Sequence, residues 1–506
     1  MDHLEGPCAI FKVPKHIRQL DNEAYEPVIA FLGPFHHNSD GSSFMNDHKW
    51  RCVRHILSRH RSREHASQLF NECLLELKKQ DEKVRSCYSE EFSTLNAQDM
   101  ALIMLLDGCF IICLMLREKE EEGKATKEDE GKKRRECMIE TREGEVVLNI
   151  EEKDEQLEYP TVAGRFTINL VVYDLLKLEN QIPFSIIQLL FDRLIPCEDG
   201  QINLVDLALQ LFKGIQPEES ESFKKSKKKS PREYHHLLHL FYSSRIPSEK
   251  PVESTSVPEE AAPSQGDSTF APTSTCASGC IPELMKCNCK KAEVDPPRGS
   301  APKWIPRAIE LDRAGVKFKR KKLTDSFLNI NFGRRKMKLT PLLCLQKLCL
   351  MLRSGRMEIP LLQIYDYTGP LFRNVIAFEQ CYFDTEMYIT IYALFMDCII
   401  HQAEDVQLLC FEGILQHKLS NHQEVANLFN RLGNQIHYDW EKNYLANQIE
   451  EINRFYELKC HKWLAALRRD YVGNPWATIS VLAAAFLLLL TVMQTVYSVL
   501  SYIYPS

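Results

Sequence analysis

Apolar positions along the chain fall mainly at helical spacing. Trp50, Val53, Ile56 and Leu57 recur every three or four residues and predict a helix from about Asp47. Residues 98–116 and 180–194 predict further core helices, the second with Asn180 placed to cap and Pro183 in the first turn. After the Gly369-Pro370 turn, helix is expected over 371–395. A last helix over 443–467 sets Leu445, Ile449, Ile452 and Tyr456 on one seam. Strand signals are fewer. Residues 10–14 read as a short extended stretch, and a short helix over 305–313 stops at Gly315. Val316 and Phe318 then alternate with lysines, and Leu328, Ile330 and Phe332 alternate with polar or small residues. Residues 357–365 predict another strand, which Pro360 would confine to a sheet edge. The expected fold class is therefore mainly α with a small β component (α+β): a helical body plus one C-terminal transmembrane helix.

That last helix is the longest uniform pattern. Residues 476–502 contain no charged side chain, and a spanning helix needs about 20 apolar residues. Trp476 at one end, and Tyr497, Tyr502 and Tyr504 at the other, suit the two interfaces. Lys459, Lys462, Arg468 and Arg469 precede the run and nothing basic follows it. The positive-inside rule then predicts a single-pass, C-terminally anchored protein with a cytosolic N-terminal body, in either the plasma membrane or the endoplasmic reticulum. Residues 101–116 and 388–400 are also apolar, but they are shorter and carry Asp107 and Asp397, so they are expected to be buried core helices. The start of the chain has neither a basic n-region nor an apolar h-region, so no signal peptide is predicted. The 18 cysteines show no framework spacing, and no Asn-x-Ser/Thr acceptor occurs. Both point to reduced thiols on the cytosolic side.

Composition shifts divide the 506 residues into a first block over 1–242, a disordered linker over 243–302, a second block over 303–470 and the anchor at 476–502. Charged inserts near 117–135 and 218–230 interrupt the first block and read as solvated loops. The linker is rich in Pro, Ser, Thr and Glu, which bury too little apolar surface to offset ordering. Its Cys276, Cys280, Cys287 and Cys289 fit a paired zinc spacing only at the first pair and read as incidental thiols. Each block carries apolar runs too long to hide alone, so the two are expected to pack as one body. A net charge of −6 disfavours nucleic acid as a partner.

Reaction signatures are missing: no G-x-S-x-G, P-loop, H-E-x-x-H or G-x-G-x-x-G occurs. The densest residual chemistry is His36, His37, His48, His55 and His60, which would need to converge with a carboxylate such as Glu23, Asp40 or Asp47. His55 and His60 are five residues apart and do not share a helix face, so these read as loop and surface histidines. Glu179 and Asn180 are read as a helix-start pair, and Asn374 and Gln380 as buried groups that satisfy a neighbouring loop backbone. No catalytic residue, cofactor or metal is assigned.

Several short motifs occur together and in order. They are Ile10-Phe11-Lys12-Val13-Pro14, Ile29-Ala30-Phe31-Leu32-Gly33-Pro34-Phe35-His36-His37, His48-Lys49-Trp50 and Leu106-Asp107-Gly108-Cys109-Phe110. The most specific is Asp174-Leu175-Leu176-Lys177-Leu178-Glu179-Asn180-Gln181-Ile182-Pro183-Phe184. The second block adds Ala314-Gly315-Val316-Lys317-Phe318, Glu358-Ile359-Pro360 and Arg373-Asn374-Val375-Ile376-Ala377-Phe378-Glu379-Gln380-Cys381. On these residues the chain resembles the plant DUF247 proteins, also called UPF0481, over nearly its whole length. It departs modestly at Phe35, where many members have tyrosine. The resemblance implies a plant protein, a single hydrophobic span near the C-terminus and no established catalytic residues. Some grass members look like self-incompatibility determinants. The expected function is a membrane-anchored, non-enzymatic interaction or signalling protein. Its expected partners are the lipid bilayer, through the C-terminal helix, and an unidentified protein, with no nucleic acid. The alternatives are a determinant of pollen–stigma self-incompatibility and an enzyme of unrecognised type.

Overall fold

The computed structural model describes residues 8–37, 42–60, 62–138, 164–195, 203–215, 234–247, 305–322, 326–334, 355–458 and 475–503. The first block forms α1 (Lys15–Arg18), α2 (Ser42–Ser58), α3 (Arg63–Lys79), α4 (Asp81–Ser86), α5 (Ala97–Met138), α6 (Gly164–Asp174), α7 (Phe184–Leu194), α8 (Leu204–Leu211) and α9 (Leu237–Arg245). Helix α5 is the axis of this block, and α2, α3, α7 and α8 all pack on it. Met104, Phe110 and Ile112 are fully buried there. Its first half, Ala97–Glu120, is long and apolar enough to cross a membrane, yet 89% of its most apolar stretch lies inside the body. It is a core helix, as Asp107 within it suggests. Helix α7 approaches so closely that a Cβ on Gly108 would lie 2.4 Å from Leu190 Cδ1.

Two boundaries differ from expectation. Helix α5 continues through Arg117 to Met138, so the backbone of the first charged insert is helical rather than looped. Once the packed half has nucleated the helix, further turns need only local propensity. Ala, Glu, Lys and Arg supply it, against about 1 kcal/mol for each of Gly123 and Gly131. Helix α7 starts at Phe184 after Pro183, with no side-chain cap, so Asn180 lies outside it. The insert at 218–230 lies outside the described residues.

The second block contributes α10 (Ala308–Arg313), β1 (Val316–Lys321), β2 (Asn331–Arg334), β3 (Gly355–Pro360), β4 (Leu362–Ile364), α11 (Thr368–Cys381), α12 (Tyr388–Ile399), α13 (Ala403–Phe411), β5 (Leu415–His417), α14 (His422–Leu432), α15 (Ala446–Glu457) and α16 (Pro475–Ile503). The described elements are thus mainly α, with five short strands in two sheets. In the three-stranded sheet, β3 lies between a parallel β1 and an antiparallel β2, so the strand bearing Pro360 is central rather than at an edge. Proline is tolerated because it ends the strand. The β2 ladder reaches only Glu358, and the missing N–H falls beyond it.

The helix expected over 371–395 is two helices, because the chain reverses at Tyr382 and Met387 takes a left-handed conformation (φ 52°). Glu379 holds the break. Its carboxylate accepts the N–H groups of Ile389 and Thr390 and the Thr390 hydroxyl at 2.6–2.8 Å, where α12 has no local side-chain cap. Leu445, just before α15, and Ile449, Ile452 and Phe455 on it form the buried seam, and Tyr456 packs beside it.

The described residues before Lys250 and after Trp304 belong to one compact unit. Asn374 on α11 accepts from Leu178 N (2.9 Å) and donates to Ala24 O (2.8 Å), while Arg373 pairs with Asp21 at 3.1 Å. Ser326 donates its hydroxyl to Arg245 O. Ser244 and Arg245 are buried, so the body extends past residue 242. The linker residues 248–304, with their four cysteines, and the cations from Lys459 to Arg469 lie outside the described residues. On α16, the described side chains from Ala483 to Val499 are all exposed.

Candidate functional site

Residues 9–37 carry little regular structure beyond α1 and a 3-10 turn at Pro34–His36, yet much of this strap is buried. Buried backbone N–H and C=O groups need partners. The motif ending α6 and leading to α7 supplies many of them. Asp174 accepts from Val28, Ile29 and Ala30 N at 2.7–2.9 Å. Asn180 accepts from Leu32 N (2.7 Å) and donates to Ala30 O (2.7 Å) and Asp174 O (2.9 Å). Glu179 accepts from Val13 N (2.8 Å) and pairs with Arg18 at 2.5 Å. Gln181 donates to Leu175 O and Lys177 O and accepts from Leu238 N. Glu179 and Asn180 therefore hold the strap instead of serving the start of α7. Asn374 satisfies loop backbone as its position in an apolar helix suggests, and Gln380 accepts from His437 N at 3.0 Å.

Where the strap meets α2 and α5, three of the short motifs converge on one cleft of about 130 Å³, whose lining includes Phe31, Gly33, His36, Lys49, Trp50 and Asp107. Its floor is an ion pair. Lys49 Nζ lies 2.5 Å from Asp107 Oδ1 and donates to Phe31 O at 2.6 Å, and Asp107 Oδ2 accepts from Gly33 N at 2.7 Å. Lys49 is 5% exposed and Asp107 1%. Gly33 sits at φ 70°, ψ 177°, a region nearly reserved for glycine, and a Cβ there would lie 2.7 Å from Gln181 O. The sequence signal for this pair was a carboxylate inside an apolar run, but its partner stands 58 positions away on another helix. The two charges neutralise each other, and the volume is well below the roughly 300–1,000 Å³ of small-molecule sites. The arrangement serves as a lock on the strap.

The five histidines singled out in the first block do not gather. His36 and His37 line the cleft. His48 and His55 are buried along α2, and His60 Nε2 lies 2.9 Å from Leu194 O. Burial pushes the imidazoles of His36, His48 and His55 below their ordinary range, which keeps them neutral. Glu23 and Asp47 join no metal-binding group among the described residues, and Asp40 lies outside them. The described residues that do bring three potential ligands together are Cys410, His417 and His422, which no sequence motif links.

The DUF247 family, described as plant protein of unknown function, matches residues 10–490. A UPF0481 protein of Arabidopsis thaliana is 24% identical over 500 residues, covering 98% of this chain and 87% of the relative. A putative UPF0481 protein from the same plant is 22% identical over 543 residues, covering 97% of this chain and 90% of the relative. No solved structure matches the chain.

Proposed function

The chain belongs to the DUF247 family of plant proteins of unknown function, and from that premise we propose that it is a membrane-anchored, non-enzymatic interaction protein with a cytosolic body. The observation that carries this reading is α16. It is a 29-residue helix whose large apolar side chains stand in solvent, with Phe486 63% and Leu488 69% exposed. Such a surface in water would be a strong aggregation liability, whereas in hydrocarbon it is matched. Thr491 and Thr495 donate their hydroxyls back to Leu487 O and Thr491 O, which removes two polar costs of immersion. The cations from Lys459 to Arg469 favour a cytosolic body.

The non-enzymatic part rests on how the polar motif residues are used. Asp174, Glu179, Asn180, Gln181 and Asp107 are engaged with backbone amides and carbonyls, which supports a structural role for these motifs in building a rigid body. A rigid body tethered to a bilayer is suited to presenting a surface to a protein partner. The anchor is tested by deleting residues 476–506 and extracting membranes with carbonate. The full chain is expected in the pellet and the truncated chain in the supernatant. A truncated chain that resists extraction overturns the single-anchor reading.

A further inference from the structure

Cys410, His417 and His422 present one sulfur and two imidazole nitrogens that all lie within 4.8 Å of one another. They come from three elements with independently fixed backbones. Cys410 lies in the last turn of α13. Gly413, at φ 70°, then reverses the chain, with Gly413 N bonded to Cys410 O at 3.0 Å and Ile414 N to Leu409 O at 2.9 Å. His417 ends β5, in parallel register with Ile364 of β4, and Lys418 N closes that ladder on Ile364 O at 2.9 Å. His422 is the first residue of α14, whose start is held by Asn421 Oδ1 accepting from Glu424 N (2.9 Å) and Glu424 Oε2 accepting from Ser420 N (3.1 Å).

We propose that Cys410, His417 and His422 form a zinc site with an open fourth position. The donor set is the first reason: thiolate and imidazole are zinc ligands, whereas calcium and magnesium take oxygen. Spacing is the second, since His417 and His422 are separated by four residues, within the usual three to five of paired zinc histidines. The third is the orientation of His417. Its Nδ1 faces Leu419 O at 3.2 Å, and a carbonyl only accepts, so Nδ1 carries the proton and the Nε2 lone pair is the ring's acceptor. Zinc-ligating histidines are commonly held in this way, the far ring N–H donating to a backbone carbonyl. That lone pair accepts from His422 Nδ1 at 2.8 Å, a hydrogen bond that zinc would replace.

Tetrahedral zinc with ordinary bond lengths needs about 3.3 Å between the two nitrogens and about 3.6 Å from sulfur to nitrogen. Binding therefore opens the two nitrogens from 2.8 Å by about 0.5 Å and draws in the sulfur, which lies within 4.8 Å of both. His422 then takes the tautomer with its proton on Nε2, and the Cys410 thiol gives its proton to solvent as the Zn–S bond forms. All three side chains are half-buried, which leaves room for a water or a partner's side chain in the fourth position.

The test uses the full chain in non-ionic detergent, with Cys276→Ser, Cys280→Ser, Cys287→Ser and Cys289→Ser introduced to silence the linker. Co2+ is added as the spectroscopic probe and Zn2+ as its competitor. The expected result is one equivalent of Co2+ with a near-ultraviolet thiolate-to-cobalt band that zinc bleaches. Cys410→Ser should abolish the band, and His422→Gln should weaken affinity by roughly tenfold or more. Zinc should also raise the melting temperature of the chain with all three ligands intact, a readout that needs no ligand variant. Failure to bind cobalt in the linker-silenced chain, or a band that survives Cys410→Ser, overturns the site.

Discussion

Replacing Lys49 by Met tests the lock on the strap where it is most concentrated. At 2.5 Å, with an effective dielectric of about 20, the gross attraction between Lys49 and Asp107 is roughly 6–7 kcal/mol. Burying both ions offsets several kcal/mol of that. Methionine fills similar space but leaves the Asp107 carboxylate, 1% exposed, with Gly33 N as its remaining donor at 2.7 Å. Orphaning one member of a buried pair costs about 3–5 kcal/mol. Adding Asp107→Asn removes the orphaned charge and keeps an oxygen for Gly33, so the double variant should be more stable than Lys49→Met alone. Urea unfolding of the full chain in detergent, followed by circular dichroism, measures both effects. A loss under about 1 kcal/mol for Lys49→Met, or a double variant worse than the single, would refute the reading of the pair.

Gly33→Ala should cost at least about 1–3 kcal/mol from φ 70° alone, and more because its Cβ would meet Gln181 O at 2.7 Å; a melting temperature equal to that of the parent would contradict this. His236 is buried between Ala9 O (3.0 Å) and His239 N (3.2 Å), and burial lowers its pKa well below the ordinary value. Its neutral form therefore contributes stability above about pH 6.5 that is lost as pH falls, because the unfolded chain takes up the proton first. The stability gap between the parent and His236→Gln should narrow from pH 7.5 to 5.5, and a gap that is constant or widens in urea titrations would show otherwise.

The core helices were legible because their apolar period is long and regular, as in residues 98–116 and the seam of Leu445, Ile449 and Ile452. What the period could not show was competition from distant backbone. Asn180 has the residue type and position of a cap, but Leu32 N and Ala30 O lie within reach in the fold and take it. Glu379 sits in an apolar helix, and its role emerges only where the chain turns back and offers Ile389 and Thr390. Pro360 marks a strand end rather than a sheet edge, a distinction set by where β2 stops pairing. Lys49 and Asp107 each stand in a recognisable motif, but only the packing of α2 on α5 makes them a pair. Cys410, His417 and His422 were missed because each lies on a different element and only the crossing of α13, β5 and α14 brings them together.

Whether α16 spans a bilayer with the body on the cytosolic side decides where partners are to be sought. The direct measurement is protease treatment of sealed microsomes, cytosolic face outward, carrying the full chain with one tag at Met1 and another after Ser506. The Met1 tag is expected to be digested and the C-terminal tag protected until detergent is added. Protection of the Met1 tag would invert the topology, and digestion of both tags would remove the span.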